Sequence, residues 1–177
     1  MNLEDKLRHV HHFPHQGIDF IDITTVLKDP VYFHEAIDQM VAIAKQYDFD
    51  IIVGSESRGF IMGAPVAYAC NCGFVPIRKN GKLPAETVSV TYDLEYGQDV
   101  LQMHKDAISP GMKVLVIDDL LATGGTAKAN CELVEKLGGE VVSSLFFIEL
   151  CNLNGRQRLE AEGYKIDSIC KIEETVL

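Results

Sequence analysis

Apolar positions along the chain fall into two kinds of run that alternate. Short continuous runs at Ile51 to Val53, in "GFVPIRK" from Gly73, in "MKVLVIDD" from Met112 and in "EVVSSLFFIEL" from Glu140 read as buried strands. Between them the spacing becomes helical. After Asp29-Pro30, apolar residues fall at Phe33, Ile37, Met40, Val41 and Ala44, on one helix face. A second helix is expected from Gly125 to Leu137, with Cys131 and Val134 inward and Gly138-Gly139 as its stop. Strands alternating with helices predict an α/β fold with a mostly parallel central sheet flanked by helices. Ligands in such folds bind beyond the carboxyl ends of the strands. That rule selects Gly54 to Gly59, Ile77 to Pro84 and Asp118 to Thr126.

One segment breaks the alternation. "GKLPAETVSVTYDLEYGQDVLQMHKDA" is polar and shows only short period-two runs, at Val88, Val90, Tyr92 and Leu94, with Val100 to Met103 as a return strand. It reads as a hairpin-like excursion standing over the sheet edge, and long excursions of this kind are often lids. The expected flexible lid spans 79–104.

Composition narrows the function. The chain has 177 residues, 47% of them hydrophobic, enough for one domain with a sizeable core. Its formal net charge of −10 makes duplex nucleic acid a poor partner. No apolar run reaches the roughly 20 residues of a membrane span, and "MNLEDKLRHVHHFPHQ" has no signal-peptide core. The five cysteines are odd in number and form no C-x-x-C pair. Free thiols in a reducing cytoplasm fit best.

The stretch "VLVIDDLLATGGTAKA", Val114 to Ala129, carries the chemistry. An apolar run ends at Asp118-Asp119. A loop then passes through Ala122, Thr123, Gly124 and Gly125 to Thr126, where helical spacing starts. Unpaired N–H groups at a helix start carry partial positive charge, and glycines let the backbone curl around a ligand. Such a loop suits a phosphate monoester. It is not a nucleotide P-loop, because no lysine follows the glycines, and G-x-G-x-x-G is absent. A carboxylate accepts from two neighbouring hydroxyls, so phosphate on one side and a diol on the other describe a ribose 5-phosphate. The plainer alternative is that the aspartates end a strand and Thr123 caps a helix.

An apolar run, Asp-Asp and Thr-Gly-Gly-Thr together resemble the phosphoribosyl pyrophosphate motif of type I phosphoribosyltransferases. "ESRGFIMGAPVA", "VPIRKNGKLPAETVSVTYDLEYG", "HKDAI" and "VLKDP" resemble the adenine phosphoribosyltransferase branch, over Phe13 to Leu150. The resemblance implies a single domain over 1–177, with 1–30 contributing to a small base-binding hood. It implies transfer of a 5-phosphoribosyl group from phosphoribosyl pyrophosphate to adenine, with magnesium carried on the phosphates. Asp118 and Asp119 would hold the ribose hydroxyls, and Ala122 to Thr126 would wrap the 5-phosphate. Ser57, Arg58, Arg78, Lys79 and Lys82 would serve pyrophosphate. Arg78 would reach a neighbouring subunit, implying a homodimer. Glu95 would handle the proton of the incoming purine.

Asp19, Phe20, Ile21 and Leu120 are expected at the base. The family usually reads Phe-Arg-Asp where this chain reads Phe20-Ile21-Asp22, so a cation is lost there, and Asp19 adds an acid. Backbone contacts would survive the change, and the base pocket is where the chain departs from the family pattern. A 6-oxopurine as acceptor, or a non-catalytic regulator that senses phosphoribosyl pyrophosphate, are the alternatives. No metal ligands are assigned. His9, His11, His12 and His15 cluster, but Pro14 would interrupt a helix carrying two of them.

Overall fold

The computed structural model describes residues 2–93 and 97–173. Strands β1 (Arg8–His11) and β2 (Asp19–Asp22) pair antiparallel as a two-stranded sheet. A short helix α1 (Thr24–Leu27) leads to α2 (Pro30–Ala44). The Asp29 carboxylate accepts from the N–H groups of Val31 and Tyr32, and Pro30 occupies the first turn. A cap of this kind contributes about 1 kcal/mol. Then come β3 (Ile51–Ser55), α3 (Arg58–Ala69), β4 (Gly73–Lys79), β5 (Thr87–Asp93) and β6 (Gln98–His104). The chain continues through β7 (Lys113–Leu121), α4 (Gly125–Lys136), β8 (Glu140–Leu150), α5 (Gly155–Ala161) and β9 (Ile166–Ile172).

The main sheet has the order β5-β6-β4-β3-β7-β8-β9. Its β4-β3-β7-β8-β9 part is parallel, as the alternating runs predict. The continuous apolar run of β7 is explained by burial on both faces. Leu115 and Ile117 join the core under α2 and α3, while Val114 and Val116 join the core under α4. Cys131 and Val134 face that second core, as expected.

Two expectations need correction. Asp118 and Asp119 do not follow the strand but lie inside it, because β7 continues to Leu121 through pairing with β8. The hairpin does not stand over the sheet edge. Strand β6 pairs antiparallel with β4 through Arg78↔Gln102 and Lys79↔Leu101, and Leu101 and Met103 are buried in the second core. The apolar face of β6 therefore extends the sheet. Neither β9 nor α5 has a clear signature in the apolar pattern. β9 mixes polar and apolar residues, and α5 is short.

Among the described residues, no helix is long and apolar enough to cross a membrane. All five thiols are free. Burial raises each of them, and pushes Cys131 and Cys170 up to about 12.

Candidate active site

The neighbouring strands β3 and β7 run parallel and deliver their carboxyl ends to one cavity of about 570 Å³. Its lining includes Ser55 to Arg58 after β3, Lys79 at the end of β4, and Asp118 through Thr126. Two of the three places selected from sequence thus converge, and the third contributes through Lys79.

The loop after β7 is built for an anion. Gly124 adopts φ +92°, a left-handed conformation, and sits at the N-cap of α4. No side chain caps this helix, so its first N–H groups remain available. Thr123 is therefore not a helix cap, which removes the plainer reading of the motif.

The two carboxylates are buried. Asp118 Oδ2 accepts from Ser55 Oγ at 2.5 Å, and Ser55 Oγ accepts from Asn130 Nδ2 at 3.1 Å. Asp118 Oδ1 accepts from the Asp119 N–H at 2.9 Å. At the start of α3, a Cβ on Gly59 would lie 2.7 Å from Asp118 Oδ1, so glycine permits this approach. Asp119 Oδ2 lies 2.8 Å from Arg58 Nε. Burial raises the Asp118 carboxyl above its ordinary range, and the Asp119 charge raises it further. Burial also raises Asp119, against the opposing pull of the Arg58 cation.

Arg58 links this pair to an aromatic wall. Its guanidinium lies 5.2 Å from the centroid of the Phe20 ring. Its Nη1 is buried without a hydrogen-bond partner among the described residues. Such an orphan donor beside a cavity points to a missing acceptor. Phe20 and Leu120 both line the cavity, and Phe13 packs edge-on against Phe20.

Other expected residues are placed differently. The side chains of Asp19 and Ile21 alternate away from Phe20 along β2. Asp19 is held by His9 Nδ1 at 2.7 Å and His11 Nδ1 at 3.0 Å. Ile21 is 2% exposed and belongs to the main core. Neither side chain lines the cavity, so only their backbone could face a base. Two of the clustered histidines thus have a structural task. Arg78 and Lys82 also stay outside the cavity; Arg78 Nε is 3.4 Å from Glu56 Oε1, and Lys82 is exposed. His104 accepts weakly from the Ala85 N–H at 3.4 Å, a structural contact. Glu95 lies outside the described residues.

Ser55 and Glu56 lie in the stretch Gly54 to Gly59 selected from sequence but were given no role there, and Asn130 lies outside all three stretches. Glu56 Oε1 accepts from the Lys79 N–H at 2.6 Å, joining two of the loops. Ser55 and Asn130 support Asp118 from distant positions. Only the place of Ser55 at a strand end offered a local signal.

Comparison with known proteins adds the family. Residues 30–176 match the model of the phosphoribosyl transferase domain. The adenine phosphoribosyltransferase of Ruminiclostridium cellulolyticum is 63% identical over 172 residues, covering 97% of this chain and 99% of that one. The chain belongs to the adenine phosphoribosyltransferase family. The crystal structure of the Thermoanaerobacter pseudethanolicus family member superposes with a TM-score of 0.93 at 49% identity, covering 97% of this chain and 100% of that one. The Saccharomyces cerevisiae family member, solved with an imino-altritol bisphosphate and adenine, gives 0.86 at 39% identity, covering 93% and 94%.

Proposed function

We propose that this chain transfers the 5-phosphoribosyl group of phosphoribosyl pyrophosphate to adenine, giving AMP and pyrophosphate in purine salvage. One observation carries the reading. The uncapped loop from Ala122 to Thr126, the Asp118-Asp119 pair and the Phe20–Arg58 wall open on the same cavity. Family membership and a relative solved with adenine support it.

In this reading the loop N–H groups and the Thr123 and Thr126 hydroxyls hold the 5-phosphate. Asp118 and Asp119 accept from the two ribose hydroxyls. Phe20 and Leu120 pack on the purine, and the backbone of Asp19 and Ile21 reads its edge. The C–O bond to pyrophosphate breaks as a purine nitrogen bonds to the anomeric carbon. Positive charge grows on the sugar and negative charge on the leaving group. Ser57, Arg58 and Lys79 stand where the leaving group would lie; Arg78 and Lys82 join them only through rearrangement or a second copy. Glu95 takes the proton displaced from the purine, and the exposed part of the 79–104 hairpin closes to exclude water while Leu101 and Met103 stay in the core. Residues 1–30 contribute to the base-binding hood of a single domain.

Magnesium belongs here with the substrate. Asp119 is engaged by Arg58 and Asp118 by Ser55, so the phosphates supply the better ligands. The ion neutralises phosphate charge when bound. We further infer a homodimer in which Arg78, outside its own cavity, serves the neighbouring copy.

The test is a purine panel with pure protein, magnesium and phosphoribosyl pyrophosphate. AMP from adenine alone supports the reading. IMP, GMP or XMP from the corresponding base moves the acceptor to a 6-oxopurine. No product from any base overturns it.

A further inference from the structure

The back of the phosphate-binding loop rests on a glycine remote in sequence. Gly155 opens α5 and is buried. A Cβ there would lie 2.2 Å from the Ala122 carbonyl oxygen and 3.1 Å from Leu121 Cδ1. Gly155 is not among the positive-φ residues, so alanine is conformationally allowed. Space alone demands the glycine. The contact is mutual, since a Cβ on Gly124 would lie 3.2 Å from the Gly155 carbonyl oxygen. One turn on, Arg158 Nη1 donates to the Thr123 carbonyl at 3.2 Å.

The start of α5 is itself anchored. Arg156 places Nε 2.8 Å and Nη2 2.5 Å from the two Glu149 oxygens, and Nη1 2.6 Å from the Ile166 carbonyl. Ser168 Oγ donates to Glu149 Oε2 at 2.6 Å. This fork ties α5 to β8 and β9, so the surface offered to the loop is fixed.

We propose that Gly155 and Arg158 are positioning residues for the phosphate-binding loop, setting affinity for the phosphoribosyl group without touching it. The proposal rests on the function assigned above to that loop. In a planar trans peptide the carbonyl and the following N–H point in opposite directions. The Ala122 and Thr123 carbonyls are turned back toward Gly155 and Arg158. The N–H groups of Thr123 and Gly124 must then point the other way, toward the cavity. A guanidinium on the Thr123 carbonyl also polarises that peptide and strengthens the Gly124 N–H as a donor.

The experiment compares Gly155→Ala, Arg158→Met and, as a control on the same helix, the exposed Gln157→Ala. It reads KM for both substrates, kcat, and calorimetric affinity for ribose 5-phosphate. Gly155→Ala should raise KM for phosphoribosyl pyrophosphate and weaken ribose 5-phosphate binding about tenfold or more, and Arg158→Met about threefold or more. KM for adenine should stay within about twofold, and Gln157→Ala should match wild type. If Gly155→Ala does not fold, Arg158→Met decides. Unchanged ribose 5-phosphate affinity in both variants overturns the proposal, as does a parallel rise in both KM values. A wild-type protein that binds ribose 5-phosphate but makes no AMP overturns the assigned reaction and leaves the loop proposal to the binding data. A wild-type protein that binds no ribose 5-phosphate overturns both.

Discussion

The guanidinium of Arg58 lies over the ring of Phe20, 5.2 Å from its centroid. The cation covers part of the ring, and Phe20 and Arg58 together line the cavity, where the ring offers a surface on which a flat base can stack. Phe20→Ala is expected to raise KM for adenine about tenfold, the loss typical of one stacking platform. KM for phosphoribosyl pyrophosphate should change by less than about twofold. Steady-state kinetics with each substrate varied in turn checks this, and equal rises in both would place Phe20 elsewhere in the reaction.

Asp118 supplies a prediction about pH. Its carboxyl is raised in the folded protein, chiefly by burial and then by Asp119. The native state therefore binds more protons than the unfolded state between the ordinary carboxylate range and the raised value. In that window stability falls as pH rises. Asp118→Asn removes this penalty. The variant should have the higher thermal midpoint at pH 8, with the difference shrinking toward pH 4. A midpoint difference independent of pH would remove Asp118 as its source.

The same carboxylates are needed for the sugar. Asp118→Asn combined with Asp119→Asn should weaken phosphoribosyl pyrophosphate binding about 100-fold or more, the equivalent of losing two hydrogen bonds to charged groups. Isothermal titration with magnesium present reads this directly. Unchanged affinity would mean that the ribose is held by other groups.

Ile21 gives a prediction about the core. It is 2% exposed and turned from the cavity. Ile21→Ala should cost about 2–5 kcal/mol of stability, lowering the melting temperature by several degrees. The ranking of purines should not move. A changed ranking in the purine panel would show that the side chain does act on the base.

Glu95 is tested by chemistry alone. Glu95→Gln should lower kcat about 10²-fold or more while leaving both KM values near wild type, as expected for loss of a proton acceptor. Full turnover would remove it from the proton step.

What the sequence disclosed was largely local. The Asp118-Asp119 pair and the Thr123 to Thr126 loop are adjacent in the chain, so one strand end and one helix start reveal them together. The alternation of strand and helix likewise gave the parallel sheet. The supports of the site were hidden by distance along the chain. Ser55 and Asn130 reach Asp118 only after β3, β7 and α4 have packed, and Gly155 meets Ala122 only through β8 and α5. Ile21 shows a different obstacle. A strand of four residues has a period of two but no internal sign of which face is inward. The antiparallel join of β6 to β4 was likewise invisible, because Leu101 and Met103 gain their buried surroundings only from that pairing.

The protonated state of the thiols has a practical consequence. The thiolate is the nucleophile, and burial raises every cysteine here, Cys131 and Cys170 up to about 12. Cys131 and Cys170, both buried, should thus react slowly with maleimides and peroxide at neutral pH, and the partly exposed Cys70, Cys72 and Cys151 can be replaced by serine. That leaves a quiet background for a reporter. A single cysteine introduced at the exposed Gln98 would accept a fluorophore or spin label with little competition. The hairpin could then be followed in real time as substrates bind.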